Sequence, residues 1–241
     1  AELPGPLPLK IERVYSSAFA SRAGPLGHGW SFSLNQAIWR ERGKVVLLAD
    51  DGREIEFDTF DFSGHQIAVG QSVYNPIERL TLHCEPQGLW RVVDALGLTR
   101  VFAPVTGGGP AMIQQIRSAC GFHQIVFEYD PRGRLARVRD SSGRLVELRS
   151  DEAGRITELW LAKPVGEGHD CHRRYEYDDQ GDLIRVRDVL GQQWRFEYVT
   201  HLLTRETDRA GLSFYFAYDG VGEDAWCVRT WGDGGIHDHV L

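Results

Sequence analysis

The sequence predicts an all-β fold built from antiparallel hairpin repeats. Three observations carry that prediction. Apolar and polar residues alternate with period two, one turn motif recurs at near-constant spacing, and long amphipathic helical patterns are hard to find. In "EIEFDTF", Ile55 and Phe57 fall on one face while Glu54, Glu56 and Asp58 fall on the other. "WRFEYV" sets Trp194, Phe196 and Tyr198 against Arg195 and Glu197, and "SFYFAYD" repeats the pattern with Phe214, Phe216 and Tyr218. Successive side chains of a strand point to opposite faces, so this alternation marks half-buried strands.

The turn is D-x-x-G. It occurs at Asp61–Gly64, Asp94–Gly97, Asp130–Gly133, Asp140–Gly143, Asp151–Gly154, Asp178–Gly181, Asp188–Gly191, Asp208–Gly211 and Asp219–Gly222. With 27 glycines in 241 residues, chance would supply about two such pairings among the aspartates, so the motif is a repeat. Its chemistry is that of a type I turn. Asp leads because its carboxylate can accept from backbone N–H groups ahead of it, and Gly sits where the chain needs positive φ. "DPRG" at 130–133 adds Pro at the second position. Successive aspartates lie 10 or 11 residues apart, which leaves about six or seven residues for each strand. "YVTH" (198–201) falls where a degenerate turn is expected. Strand and turn in alternation predict an antiparallel meander, one hairpin for roughly every 21 residues. On this reading the adjacent carboxylates Asp178 and Asp179 open a turn and are not an acid/base pair.

Composition narrows the function. The net charge of −7 disfavours nucleic acid as a partner, because displacing counterions needs a basic stripe. No apolar run approaches the roughly 18 residues of a membrane span, and no membrane contact is expected of this segment. The four cysteines, Cys84, Cys120, Cys171 and Cys227, match no CxxC pattern and read as reduced thiols. The chain opens on "AELPGPLPLK" without Met and ends in "GGIHDHVL", as expected of a piece of something longer.

The phrases "EYDPRGRL" (128–135), "EYDDQGDL" (176–183) and "AYDGVG" (217–222) resemble the YD repeats of the Rhs family. Upstream, Arg13, Tyr15 and Ser17 match an R-x-Y-x-S phrase. Gly27, Gly29, Trp30 and Ser31 match G-x-G-W-S, and Asp51, Gly52 and Phe57 match the D-G-x-x-x-x-F hairpin that opens the Rhs core. The resemblance implies a large spiralling β-shell that encloses a toxic C-terminal domain, in polymorphic bacterial toxins often delivered by type VI secretion. It assigns 1–104 to a cap-like opening region, 105–119 to a connection, and 120–241 to a YD-repeat array continuing beyond this chain. Its implied partners are the remaining core repeats, the enclosed toxin, secretion-spike proteins and a chaperone. The protein would be made in the bacterial cytoplasm and then delivered. No catalytic residue, metal or cofactor is expected here, because the family's toxin and self-cleaving segments lie elsewhere.

Other constellations are weaker. "HDCH" (169–172) offers ligand types, but neighbours on an extended chain point apart, so an exposed loop at the end of the lengthened connection "AKPVGEGHDCH" is expected. "HDH" (237–239) reads as an unstructured tail. "GGGP" (107–110) lacks the strand-to-helix context and the GK[ST] of a phosphate loop. "AMIQQIRSA" (111–119) fits a short helix or a hairpin strand, and the repeat favours the strand. The competing function is a carbohydrate-binding adhesion module, as teneurins also carry YD shells at animal cell surfaces. Such a module would display Trp30, Trp39, Trp90 or Trp194 on a solvent-facing platform.

Overall fold

The computed structural model describes residues 2–162 and 168–241. The described chain is strands, turns and a few single-turn 3₁₀ segments. No helix among the described residues is long and apolar enough to cross a membrane. Two compact units divide it, one comprising 1–12 and 32–147, the other 13–31 and 148–241.

In the first unit, Ala37–Glu41, Lys44–Leu48 and Glu54–Asp58 form a three-stranded antiparallel meander. Ile55 and Phe57 are buried while Glu56 and Asp58 are exposed, so alternation places the core face as expected. A longer meander runs through Ser72–Asn75, Leu80–Cys84, Trp90–Asp94, Thr99–Ala103, Ala111–Arg117, Gln124–Tyr129 and Leu135–Arg139, each strand pairing with the next. Residues 111–117 are thus a strand, with Ala111 and Ile113 buried. The core includes Ile38, Leu47, Phe57, Leu82, Phe102 and Ile113, all close to fully buried. Trp90 packs under the Arg40 guanidinium, which donates to the Ile67 carbonyl at 2.9 Å.

In the second unit the meander is Ile156–Ala162, His169–Tyr177, Leu183–Asp188, Gln193–Val199, Leu202–Thr207, Ser213–Asp219 and Trp226–Gly232. Leu159, Leu183, Val186 and Phe196 line its buried face. Arginines and carboxylates fill the other face as cross-strand pairs, such as Arg185–Glu176 at 2.8 Å and Arg205–Glu197 at 3.0 Å. Exposed pairs of this kind are worth well under about 1 kcal/mol each, so the buried face carries the stability.

Four local expectations are corrected. "HDCH" is not a loop: His169, Asp170 and Cys171 pair with Ala162, Leu161 and Trp160 as the start of a strand. The rest of the lengthened connection, 163–167, lies outside the described residues. The tail is not unstructured, because His239–Val240 pairs with Arg229 and Thr230, and Asp238 binds Arg229 at 2.7 Å. Asp219 does not open the repeat turn. Gly220 turns left-handed (φ +86°) immediately after it, so the chain leaves that path and makes a 3₁₀ turn at Gly222–Asp224. Asp61–Gly64 departs too, since Gly64 lies within the 3₁₀ segment Ser63–His65. The nearby carboxylate that accepts a backbone N–H is Asp58, from Phe60 at 2.8 Å.

Candidate functional site

The remaining seven D-x-x-G segments share one geometry. In each, the Asp N–H donates to the carbonyl four residues on, and the Gly N–H donates back to the Asp carbonyl. For Asp130 the carboxylate accepts from Arg132 N at 2.8 Å and Arg134 N at 2.9 Å. Asp140, Asp178, Asp188 and Asp208 reproduce both side-chain bonds, as does Asp94. Asp151 accepts from Arg155 N at 2.9 Å. Gly133, Gly143, Gly154, Gly181, Gly191 and Gly211 all have φ between +78° and +89°, which costs glycine little and other residues more. These carboxylates spend their lone pairs on backbone N–H groups, which suits a structural role and not proton transfer.

The tyrosine preceding the turn has its own task, which the repeat pattern alone did not reveal. Tyr129, Tyr177, Tyr198 and Tyr218 each sit immediately after a register shift in the pairing with the next strand. Each hydroxyl donates to a main-chain carbonyl on an earlier hairpin. Tyr129 reaches Ile113 at 2.7 Å, Tyr177 reaches Ile156 at 2.6 Å, Tyr198 reaches Leu183 at 2.8 Å and Tyr218 reaches Leu203 at 2.9 Å. Leu183 lies opposite Tyr177, and Leu203 lies opposite Tyr198. Tyr198 and Tyr218 therefore each fasten to the residue paired with the tyrosine before them, and the hydroxyls stitch successive hairpins together. Burial raises the pKa of all four phenols, so they remain neutral donors.

The opening motif of the second unit is packed onto this ladder. The Tyr15 hydroxyl donates to the His201 carbonyl at 2.7 Å and accepts from Leu203 N at 3.0 Å. Its pKa is pushed up to about 12 by burial. Thr200 and His201, with φ of 49° and 67°, form the two-residue turn where the repeat degenerates, and Tyr15 clamps that turn. Trp30 Nε1 donates to the Tyr198 hydroxyl at 2.8 Å, and its ring meets Phe196 edge-on at 5.1 Å. The Arg13 guanidinium lies among Trp30, Trp194 and Phe196, 5.2 to 5.7 Å from their centroids. Burial lowers its pKa, and burial likewise raises that of nearby Glu206. Gly27 (φ +87°) passes so close to the Gly181 turn that a Cβ would strike the Gly181 carbonyl. A Cβ on Gly29 would lie 2.5 Å from the Tyr15 ring. Ser17 begins a 3₁₀ turn, and Ser31 lies on the strand Trp30–Phe32. In the first unit, Asp51 and Gly52 form a hairpin turn, with Asp51 accepting from Arg53 N at 3.0 Å and Gly52 at φ +84°.

One cluster invites a catalytic reading. His201 Nδ1 lies 2.9 Å from the buried Asp182 carboxylate, and the His28 ring stacks on His201 at 3.8 Å. An oriented imidazole needs a nucleophile to act on. The groups bonded here are carbonyls, since Tyr15 donates to the His201 carbonyl and His28 Nδ1 approaches the Ala20 carbonyl at 3.2 Å. Nothing in the spacing of "GDL", "VTH" and "GHG" signals this cluster, because three distant segments supply it. Among the described residues, no three His, Cys, Asp or Glu side chains converge as a metal site would require. Trp30 and Trp90 are buried and Trp39 and Trp194 half-buried, so the four do not form an exposed aromatic platform.

The family model RHS Repeat matches residues 177–213, spanning the Tyr177 and Tyr198 units, and a domain of unknown function (DUF6531) matches residues 1–57. A curated relative, Double-stranded DNA deaminase toxin A of Burkholderia cenocepacia (strain H111), is 26% identical over 161 residues. The match covers 65% of this chain and 9% of that protein, so the chain spans under a tenth of its relative's length. Solved structures with similarity include the N-terminal domain of effector protein SpvB from Salmonella typhimurium strain LT2, at 13% identity and TM-score 0.37, covering 96% of this chain and 98% of that one. A TcdB2-TccC3-TEV structure is 12% identical with TM-score 0.41, covering 82% of this chain and 12% of that one. The repeat model thus matches the Tyr177 unit and the degenerate Tyr198 unit that follows it, and over these residues the chain carries repeats of the Rhs, or YD-repeat, type.

Proposed function

We propose that this chain is wall: part of an Rhs shell that encloses a C-terminal toxin of the same polypeptide and keeps it from the producing cell until delivery, by a route such as type VI secretion. The observation that carries the reading is the tyrosine ladder. Each hydroxyl ties one hairpin to the hairpin before it, so the array gains strength as hairpins are added, the behaviour of a repeat scaffold. Containment needs a rigid barrier and no chemistry from its walls. Aspartates committed to turns and tyrosines committed to carbonyls suit such a barrier. The adhesion reading loses ground because Trp30 and Trp90 are buried.

The test uses the full-length polypeptide. Mild proteolysis followed by native gel filtration should leave a C-terminal fragment eluting with the β-rich body and separating only on denaturation. A fragment that leaves freely removes containment and brings surface adhesion forward.

A further inference from the structure

In the first unit the meander's turns alternate between two edges. One edge bears the turns after Ser72–Asn75, after Trp90–Asp94 and after Ala111–Arg117. Each presents one large apolar side chain to solvent: Ile77 is 87% exposed, Leu96 86% and Phe122 88%. These turns recur every second strand, about 10 Å apart at ordinary strand spacing, so the three side chains form a row. The opposite edge carries "PQG" (86–88), the glycine-rich 104–110 and "DPRG" (130–133), with no large exposed apolar residue.

Turn chemistry does not ask for these residues. At the third position of the repeat turn, where Leu96 sits, the same unit has Arg132 and Ser142. An apolar side chain held in water at a turn tip gains nothing for the fold, and a contiguous set of them marks a contact surface. The next turn along the edge, Asp140–Gly143, shows how this polypeptide covers its own hairpin ends. There Ser141 Oγ donates to the Leu7 carbonyl at 2.7 Å and accepts from Leu7 N at 3.0 Å. That covered tip is polar and is met by main-chain polar groups. At the other three turns the most exposed side chain is apolar, and it calls for an apolar counterpart.

We propose that Ile77, Leu96 and Phe122 form a seam on which another strip of hairpin ends from the same polypeptide docks. Size selects that occupant over a separate molecule. Three such side chains offer on the order of 400 Å², about half of the ~800 Å² per partner in a standard free-standing interface. A weak contact suffices when the partner is tethered, because the effective concentration of a linked segment is high. Pitch selects it as well, since a second strip of hairpins presents its tips at the same spacing of about 10 Å and can seat along the row. The proposal rests on the shell reading, because only a polypeptide with further hairpins supplies such a strip.

Cys120 provides the probe. It is an exposed thiol in the third turn, two residues from Phe122, and its hydrogen bond with Ser118 lowers its pKa, which favours reaction. In the full-length polypeptide, N-ethylmaleimide modification of Cys120, followed by peptide mass mapping, should be at least ten-fold slower than in the same polypeptide carrying Ile77→Asp and Leu96→Asp. Both substitutions lie outside the Cys120 turn, and the buried Cys84 should stay protected in each protein as a check on folding. If the double variant loses Cys84 protection, Leu96→Asn alone replaces it. Equal, fast modification of Cys120 in parent and variant overturns the seam. Protection that rises with protein concentration overturns it too, by assigning the row to a second copy. Gel filtration of the proteolysed parent separates the two failures: a retained fragment with fast Cys120 modification defeats the seam alone, and a freely leaving fragment defeats the shell reading.

Discussion

A tyrosine hydroxyl bonded to a buried carbonyl differs from a phenylalanine ring by one interaction, and in this protein that interaction links separate hairpins. Tyr198 is engaged twice, donating to the Leu183 carbonyl and accepting from Trp30 Nε1, whereas Tyr218 makes only its donation to Leu203. Removing one partner of a buried bond strands the other, at about 1 to 3 kcal/mol per group. Tyr198→Phe should therefore cost about 2 to 3 kcal/mol and Tyr218→Phe about 1 kcal/mol, read as shifts of the urea unfolding midpoint. Equal losses would mean that the Trp30 bond contributes nothing. Glycines separate just as cleanly. Gly143 has φ of +83° and open space where a Cβ would go, so Gly143→Ala should cost only the backbone strain, about 1 kcal/mol. Gly27→Ala adds a collision with the Gly181 carbonyl, and a loss of about 3 kcal/mol or more is expected by the same measurement.

At the scale of elements, the hairpin is set by its turn. Seven D-x-x-G turns combine a carboxylate with a left-handed glycine, whereas the degenerate turn Thr200–His201 manages with two non-glycine residues at positive φ. A two-residue hairpin with both positions left-handed favours Asn or Gly, and a β-branched residue there is strained. The exposed Thr200 should thus be improvable: Thr200→Asn is expected to raise stability by about 0.5 to 1 kcal/mol, and a lower melting temperature would contradict the strain argument. The turns at Asp130, Asp140, Asp151, Asp178, Asp188 and Asp208 were legible because their chemistry is local, spanning five residues from the Asp to the last N–H it binds. Asp219 was misleading for the same reason. Its sequence satisfies the motif, but Gly220 offers the backbone an earlier left-handed exit. "HDCH" misled in the other direction, since its polar residues alternate poorly and its strand is imposed by pairing with Ile156–Ala162.

For the whole molecule, the buried phenols predict an alkaline limit. Tyr15, Tyr129, Tyr177, Tyr198 and Tyr218 all have pKa values raised above the ordinary tyrosine range, chiefly by burial. Unfolding returns them to about 10, so above that pH the unfolded chain sheds protons that the folded chain keeps. Proton release on unfolding lowers stability as pH rises, leaving the contribution intact below about pH 10 and eroding it upward from there. Urea midpoints should be flat near neutral pH and fall steeply above pH ~10, with tyrosinate absorbance appearing together with unfolding. Tyrosinate that titrates near pH ~10 in the folded protein, before any loss of structure, would contradict the burial of the ladder.

The sequence by itself determined the fold class, most of the turns and the repeat, because alternation and turn chemistry act over a few residues and are written in those residues. Only the tertiary structure decided what the tyrosines are for. Their partners lie 15 to 21 residues earlier, on the carbonyls of Ile113, Ile156, Leu183 and Leu203, and main-chain acceptors leave no mark in side-chain identity. The same holds for Arg13, Tyr15 and Trp30, whose spacing resembled a family phrase but whose roles depend on Phe196, Tyr198 and His201. More than 160 residues separate those groups along the chain, and no local pattern encodes a contact across that distance.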